Sequence, residues 1–86
     1  MIRLNFTNHF FRKLKKLPPL VQEDFWERAG IFEKDMSAPQ LKTHKLRGLK
    51  NCWSFSVNFS IRVVFRLEGD TVTFLEIGDH SIYDLL

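Results

Sequence analysis

The sequence predicts an α+β fold: a short N-terminal strand and a helical hairpin, then an antiparallel meander of three or four strands. Two apolar stripes at spacings of three and four meet at Pro18-Pro19, which marks two helices and the break between them. After Ser37-Ala38-Pro39 the hydrophobic period changes to two, and Glu68-Gly69-Asp70 separates two runs rich in β-branched and aromatic residues. Eighty-six residues suffice for one domain with one core, so 1–86 reads as a single unit.

Ile2, Leu4 and Phe6 alternate with Arg3 and Asn5, the pattern of a half-buried strand. Thr7 suits the N-cap of the first helix, with Phe6 placed to pack over its first turn. Phe10, Phe11, Leu14 and Leu17 form the apolar stripe of that helix, and Arg12, Lys13, Lys15 and Lys16 its outer face. Proline loses no hydrogen bond at a first helical position, so the second helix runs from Pro19 to about Asp35, with Val21, Phe25, Ala29, Phe32 and Met36 facing inward. Gly30 weakens this helix by about 1 kcal/mol relative to alanine, which suggests close packing against a neighbour.

Trp53, Phe55 and Val57 alternate with Ser54, Ser56 and Asn58, as in a strand buried on one side only. Asn58 tolerates a positive φ and marks a turn. In the next strand Ile61, Val63, Phe65 and Leu67 share one face, and Arg62, Val64 and Arg66 the other. Thr71 to Gly78 is a further strand, and Asp79 to Leu86 is too short to classify. One sheet face packs on the helices; the other is expected to be largely open and to carry function.

The 44% hydrophobic content, with nine phenylalanines, is that of a folded globule. No apolar run approaches the roughly 20 residues that cross a bilayer, and MIRLNFTNHF has no secretory h-region, so a cytoplasmic location is expected. Cys52 is the lone cysteine and no Cys/His spacing resembles a zinc site, which argues against disulfide and structural-metal roles; no cofactor is expected. The net charge is only +3, yet all ten acids lie outside Met36 to Leu67, which holds Lys42, Lys45, Arg47, Lys50, Arg62 and Arg66. So long a one-sign segment suggests a surface for a polyanion, nucleic acid before an acidic protein.

From Lys42 onward, KTHKLRGLKNCWSFSV and then FSIRVVFRLEGDTVTFLEIGDHSIY resemble the RelE/ParE/YafQ superfamily of bacterial toxins, most of all a YafQ-like branch. The resemblance covers about half the chain and rests on the order and spacing of its motifs. It implies a metal-independent endoribonuclease that cuts mRNA in the ribosomal A site, or, in the ParE branch, an inhibitor of DNA gyrase. It also implies a cognate antitoxin as partner, alongside the ribosome and mRNA.

Metal-free RNA cleavage needs a base for the 2′-hydroxyl proton, cations for the phosphorane-like transition state and an acid for the departing 5′-oxygen. The resemblance places His80 at the family's catalytic His or Arg, and Arg62, whose guanidinium fork suits a phosphate, at the arginine of its hydrophobic strand. His44 sits among like charges that favour a neutral base, and Tyr83 is placed to stack on a base or share in proton transfer. Lys42, Lys45, Arg47, Lys50 and Arg66 are expected to hold RNA phosphates without sequence choice. Where RelE carries lysines this chain has Ser54 and Ser56, so a lysine-assisted mechanism does not carry over, and a floor open to a bulky group is expected instead. Trp53 and Phe55 read as core, Trp26 as an antitoxin contact, and His9 receives no role. Two other readings stand beside the nuclease: a ParE-like gyrase inhibitor, and a degenerate member that only binds an antitoxin.

Overall fold

In the computed structural model, which describes residues 2–85, the chain begins with β1 (Arg3–Phe6), α1 (Asn8–Lys15) and α2 (Pro19–Lys34). A 3-10 turn at Pro39–Leu41 leads to β2 (His44–Lys45), β3 (Cys52–Ser56), β4 (Arg62–Glu68) and β5 (Thr71–Gly78), and a second 3-10 segment, His80–Leu85, follows. The strands form one sheet in the order β1-β5-β4-β3-β2, antiparallel except where β1 runs parallel to β5. This is the α+β architecture that the change of hydrophobic period predicts. None of the described helices is long and apolar enough to cross a membrane.

Local chemistry explains the joints. Thr7 caps α1, its Oγ1 accepting from the Phe10 amide at 3.0 Å, while its own hydroxyl and amide donate to the Phe74 carbonyl at 3.2 and 3.3 Å. One threonine therefore starts the helix and fastens it to β5. Pro19 opens α2, and the Gln22 side-chain amide reaches back to the Leu17 carbonyl at 2.8 Å, closing the hairpin.

The core lies between the helical hairpin and one sheet face, and Phe74 is its hub. Six other rings have centroids 4.9 to 6.3 Å from Phe74: Phe6, Phe10, Phe25, Phe32, Phe55 and Phe65. These come from β1, both helices, β3 and β4, so one side chain of β5 touches almost every element that builds the interior. A register shift makes this possible: Phe65 pairs with Phe74 but Val64 pairs with Glu76, leaving Leu75 as an extra residue in β5. Phe74 and Ile77 thereby both join the core, and Glu76 is kept out of it.

Four expectations need correction. Gly30 is exposed, and a Cβ placed there would meet nothing within 4 Å, so no neighbour requires the glycine. The turn at Asn58 exists without a positive φ: its Oδ1 accepts from the Ser60 and Ile61 amides at 2.8 Å each, while positive φ among the described non-glycine residues occurs at Lys42 and Asn51. Lys13 does not simply face solvent, because its ammonium lies 3.2 Å from the buried Glu76 carboxylate. Most consequentially, the second sheet face is not open at its centre. Ser54 and Val64 have no exposure, Ile82 of the segment after β5 is buried, and Tyr83 of the same segment bonds to Ser54.

Replacing Phe74 with alanine is expected to cost about 3–5 kcal/mol, enough to unfold a marginally stable domain. Thr7→Ala is expected to cost about 1 kcal/mol. Urea denaturation of both variants tests the ranking; equal effects would show that Phe74 is not the hub.

Candidate active site

Residues opposite one another in neighbouring strands share a sheet face, so the pairing register places the side chains. On the face away from the helices, Ser56, Arg62 and Gly78 form one row, and His44, Ser54, Val64 and Glu76 the next; Cys52, Arg66 and Thr73 form a third. Arg62 and Arg66 share that face, as their spacing predicts, but four residues at ~3.3 Å each set them about 13 Å apart. Lys45 pairs with Trp53 and belongs to the opposite face. Arg47 and Lys50 lie in the β2–β3 loop, lining a shallow hollow of about 510 Å³ at the Arg66 end of β3.

The segment after β5 supplies the other candidates. Gly78, opposite Arg62, is where the chain leaves the sheet, and Ile82 packs on it so closely that a Cβ at Gly78 would lie 2.6 Å from an Ile82 methyl. The Ser81 hydroxyl and amide donate to the Asp79 carboxylate at 2.5 and 2.9 Å, closing a turn around His80. The same two bonds, the hydroxyl first, hold the exposed Asp79 carboxyl below its ordinary value of 3.8. Tyr83 then reaches the sheet, its hydroxyl 2.8 Å from Ser54 Oγ, and the exposed His80 ring stands edge-on to Tyr83 at 5.8 Å. Ser54 is therefore occupied by the tyrosine, which corrects the expectation of an empty serine floor.

Arg62 is aimed by the turn beside it. Its Nη1 donates to the Asn58 carbonyl at 2.9 Å, which steadies the guanidinium, and no acid pairs with it among the described residues. His44 Nδ1 lies 3.2 Å from the Lys42 carbonyl. A carbonyl only accepts, so Nδ1 carries the proton and the neutral ring presents its lone pair at Nε2. Lys42, exposed beside it, takes a left-handed backbone with φ 53° and ψ 42°. Arg66 Nε donates to Glu68 at 3.0 Å, which partly neutralises it. The fold thus brings Arg62, His44, Tyr83 and the His80 turn to one face; Arg66 stands at its far end, and Lys45 faces away.

One charged cluster escaped sequence reasoning. Glu76, 5% exposed, accepts from His9 Nε2 at 2.7 Å and from Lys13 at 3.2 Å, tying α1 to the edge of β5 beyond the reach of β1. The acid at 76 was visible, but only the extra residue at Leu75 turns it away from the core, and nothing in the sequence announces that irregularity. Among the described residues no group of three or more His, Cys, Asp or Glu side chains is gathered to hold a metal ion.

Gly78→Ala is expected to push Ile82 off the strand, breaking the Tyr83–Ser54 bond at a cost of about 1–3 kcal/mol. A Tyr83 ring signal unchanged in NMR spectra would refute this. Because the folded carboxyl of Asp79 titrates below the unfolded value of 3.8, the stability its turn contributes is complete above that pH. It is lost as pH falls through the lower folded value, and the Ser81 amide shift followed from pH 6 to about 2 should report it. A midpoint at or above 3.8 would contradict the assignment.

No protein-family model and no curated protein matches the chain. Solved structures do. A RelB–RelE antitoxin–toxin complex from Methanococcus jannaschii superposes with a TM-score of 0.78 at 21% identity, over 95% of this chain and 98% of that one. The isolated E. coli RelE toxin gives 0.73 at 19%, over 99% and 94%, and the E. coli DinJ–YafQ complex 0.72 at 14%, over 95% and 97%. Strand, helical hairpin and meander thus recur over nearly the whole length of each, and the chain has the fold of the RelE/ParE-type toxins.

Proposed function

We propose that this chain is the toxin of a type II toxin–antitoxin pair and a metal-independent endoribonuclease that cuts mRNA on the ribosome. The observation that carries the reading is the gathering of an arginine that no acid pairs among the described residues, two exposed histidines and a tyrosine on one sheet face, from separate segments of the chain. His44 Nε2, left as acceptor by the Lys42 carbonyl, takes the 2′-hydroxyl proton. The 2′-oxygen attacks phosphorus, the free N–H groups of Arg62 hold a non-bridging oxygen as charge builds there, and the P–O5′ bond breaks. The protonated ring of His80 gives its proton to the leaving 5′-oxygen, so the products are a 2′,3′-cyclic phosphate and a 5′-hydroxyl. Tyr83, anchored on Ser54, holds the edge of the His80 ring. Lys42, Arg47, Lys50 and Arg66 supply charge for the longer RNA path, from which Lys45, on the other face, is left out.

The partner follows the same reading. RelE and YafQ were solved bound to the antitoxins RelB and DinJ, and this chain leaves Leu20 and Trp26 exposed on α2, where an antitoxin segment would cover them. Trp26 is braced against Phe6 at 5.6 Å, a rigid apolar anchor.

Arg62→Ala is expected to lower cleavage of translated message about a hundred- to a thousandfold, and His80→Ala by a similar factor, with circular dichroism unchanged. Message left intact by the folded parent protein in a reconstituted translation reaction would end the nuclease reading. Inhibition of gyrase supercoiling in its place would favour a ParE-like activity.

A further inference from the structure

Phe59, at the tip of the β3–β4 turn, is 95% exposed, although every other phenylalanine ring of the chain packs against another aromatic ring. The turn that presents it is ordered: Asn58 Oδ1 accepts from two amides, and the Val57 and Asn58 amides donate to the Ile61 carbonyl across the neck. Phe59 also edges a cleft of about 430 Å³ whose lining includes Arg28, Lys42, Ser56 and Arg62 and no acid. None of these three cations is in a salt bridge among the described residues. Arg28 is steadied through Nη1 by the Gln40 carbonyl at 2.9 Å, as Arg62 is by Asn58. An aromatic face with no protein partner, beside three fixed or exposed cations, matches a nucleotide: the ring for a base, the cations for its phosphates.

We propose that Phe59, Arg28 and Lys42 form a stacking subsite for an unpaired nucleotide next to the one that is cut, with Arg62 shared between the two. The proposal rests on the RNA reading above and adds to it a grip on single-stranded RNA outside the reacting atoms. Stacking accepts any base, so the subsite contributes affinity and strand choice with little sequence preference. A duplex would not enter, because its bases are already stacked.

The test uses His80→Ala protein, so that RNA is not consumed, and a short single-stranded RNA carrying 2-aminopurine. Binding should quench the probe, and adding Phe59→Ala should weaken binding about tenfold and abolish the quenching. Phe59→Trp should restore both, with its own emission quenched by the RNA. Since Phe59 touches so little of the protein, its truncation leaves the core intact. Equal binding with and without the ring, or equal affinity for duplex RNA, would overturn the subsite. If the parent protein cuts no message while Phe59-dependent quenching persists, the nuclease reading fails and the subsite stands; cleavage with no dependence on Phe59 removes the subsite and keeps the nuclease.

Discussion

One extra residue in β5 decides which chemistry reaches which side of the sheet. Strict alternation from Val72 and Phe74 would send Glu76 and Gly78 toward the helices. The irregularity at Leu75 breaks that series. Ile77 takes the core position, Glu76 escapes to His9 and Lys13, and Gly78 joins the row of Arg62. The chain therefore leaves β5 on the far side of the sheet, and His80 and Tyr83 are delivered to the face that carries the arginine. Without it a carboxylate would enter a core of phenylalanine rings, at a desolvation cost that the fold could not bear.

The second face is built as a small structure of its own. Ile82 and Val64 are buried there away from the phenylalanine core, and Tyr83 closes over Ser54. A side chain larger than serine at 54 would fill the place of the tyrosine hydroxyl, so the two residues make sense only as a pair. His80 is then positioned indirectly, by the Asp79–Ser81 turn on one side and the Tyr83 ring on the other, and stays exposed to solvent. Such a group is held by its backbone and by a neighbour's edge, and no partner takes its ring nitrogens among the described residues.

Sequence patterning carried the element order well because its signals were local. Pro18-Pro19, the Thr7 cap and the Gly69 turn each act within a few residues, and the alternation of Arg62, Val64 and Arg66 assigns a face without knowledge of any partner. Legibility failed where the cause was distant. The covering of Ser54 depends on a tyrosine 29 positions later, and the escape of Glu76 depends on register against β4. The His44 tautomer follows from a left-handed backbone at Lys42 that a lysine ordinarily avoids. The site residues were nominated by resemblance; their relation to one another is visible only in the sheet.

The parallel pairing of β1 with β5 sets the order in which this molecule can assemble. Arg3 to Phe6 have no strand partner until Thr71 to Phe74 have been synthesised, and the Thr7 carbonyl contact waits for the same strand. The hub ring of the interior is likewise made late. A nascent chain with its helices and basic segment already outside the exit tunnel still lacks both its centre and the turn that carries His80.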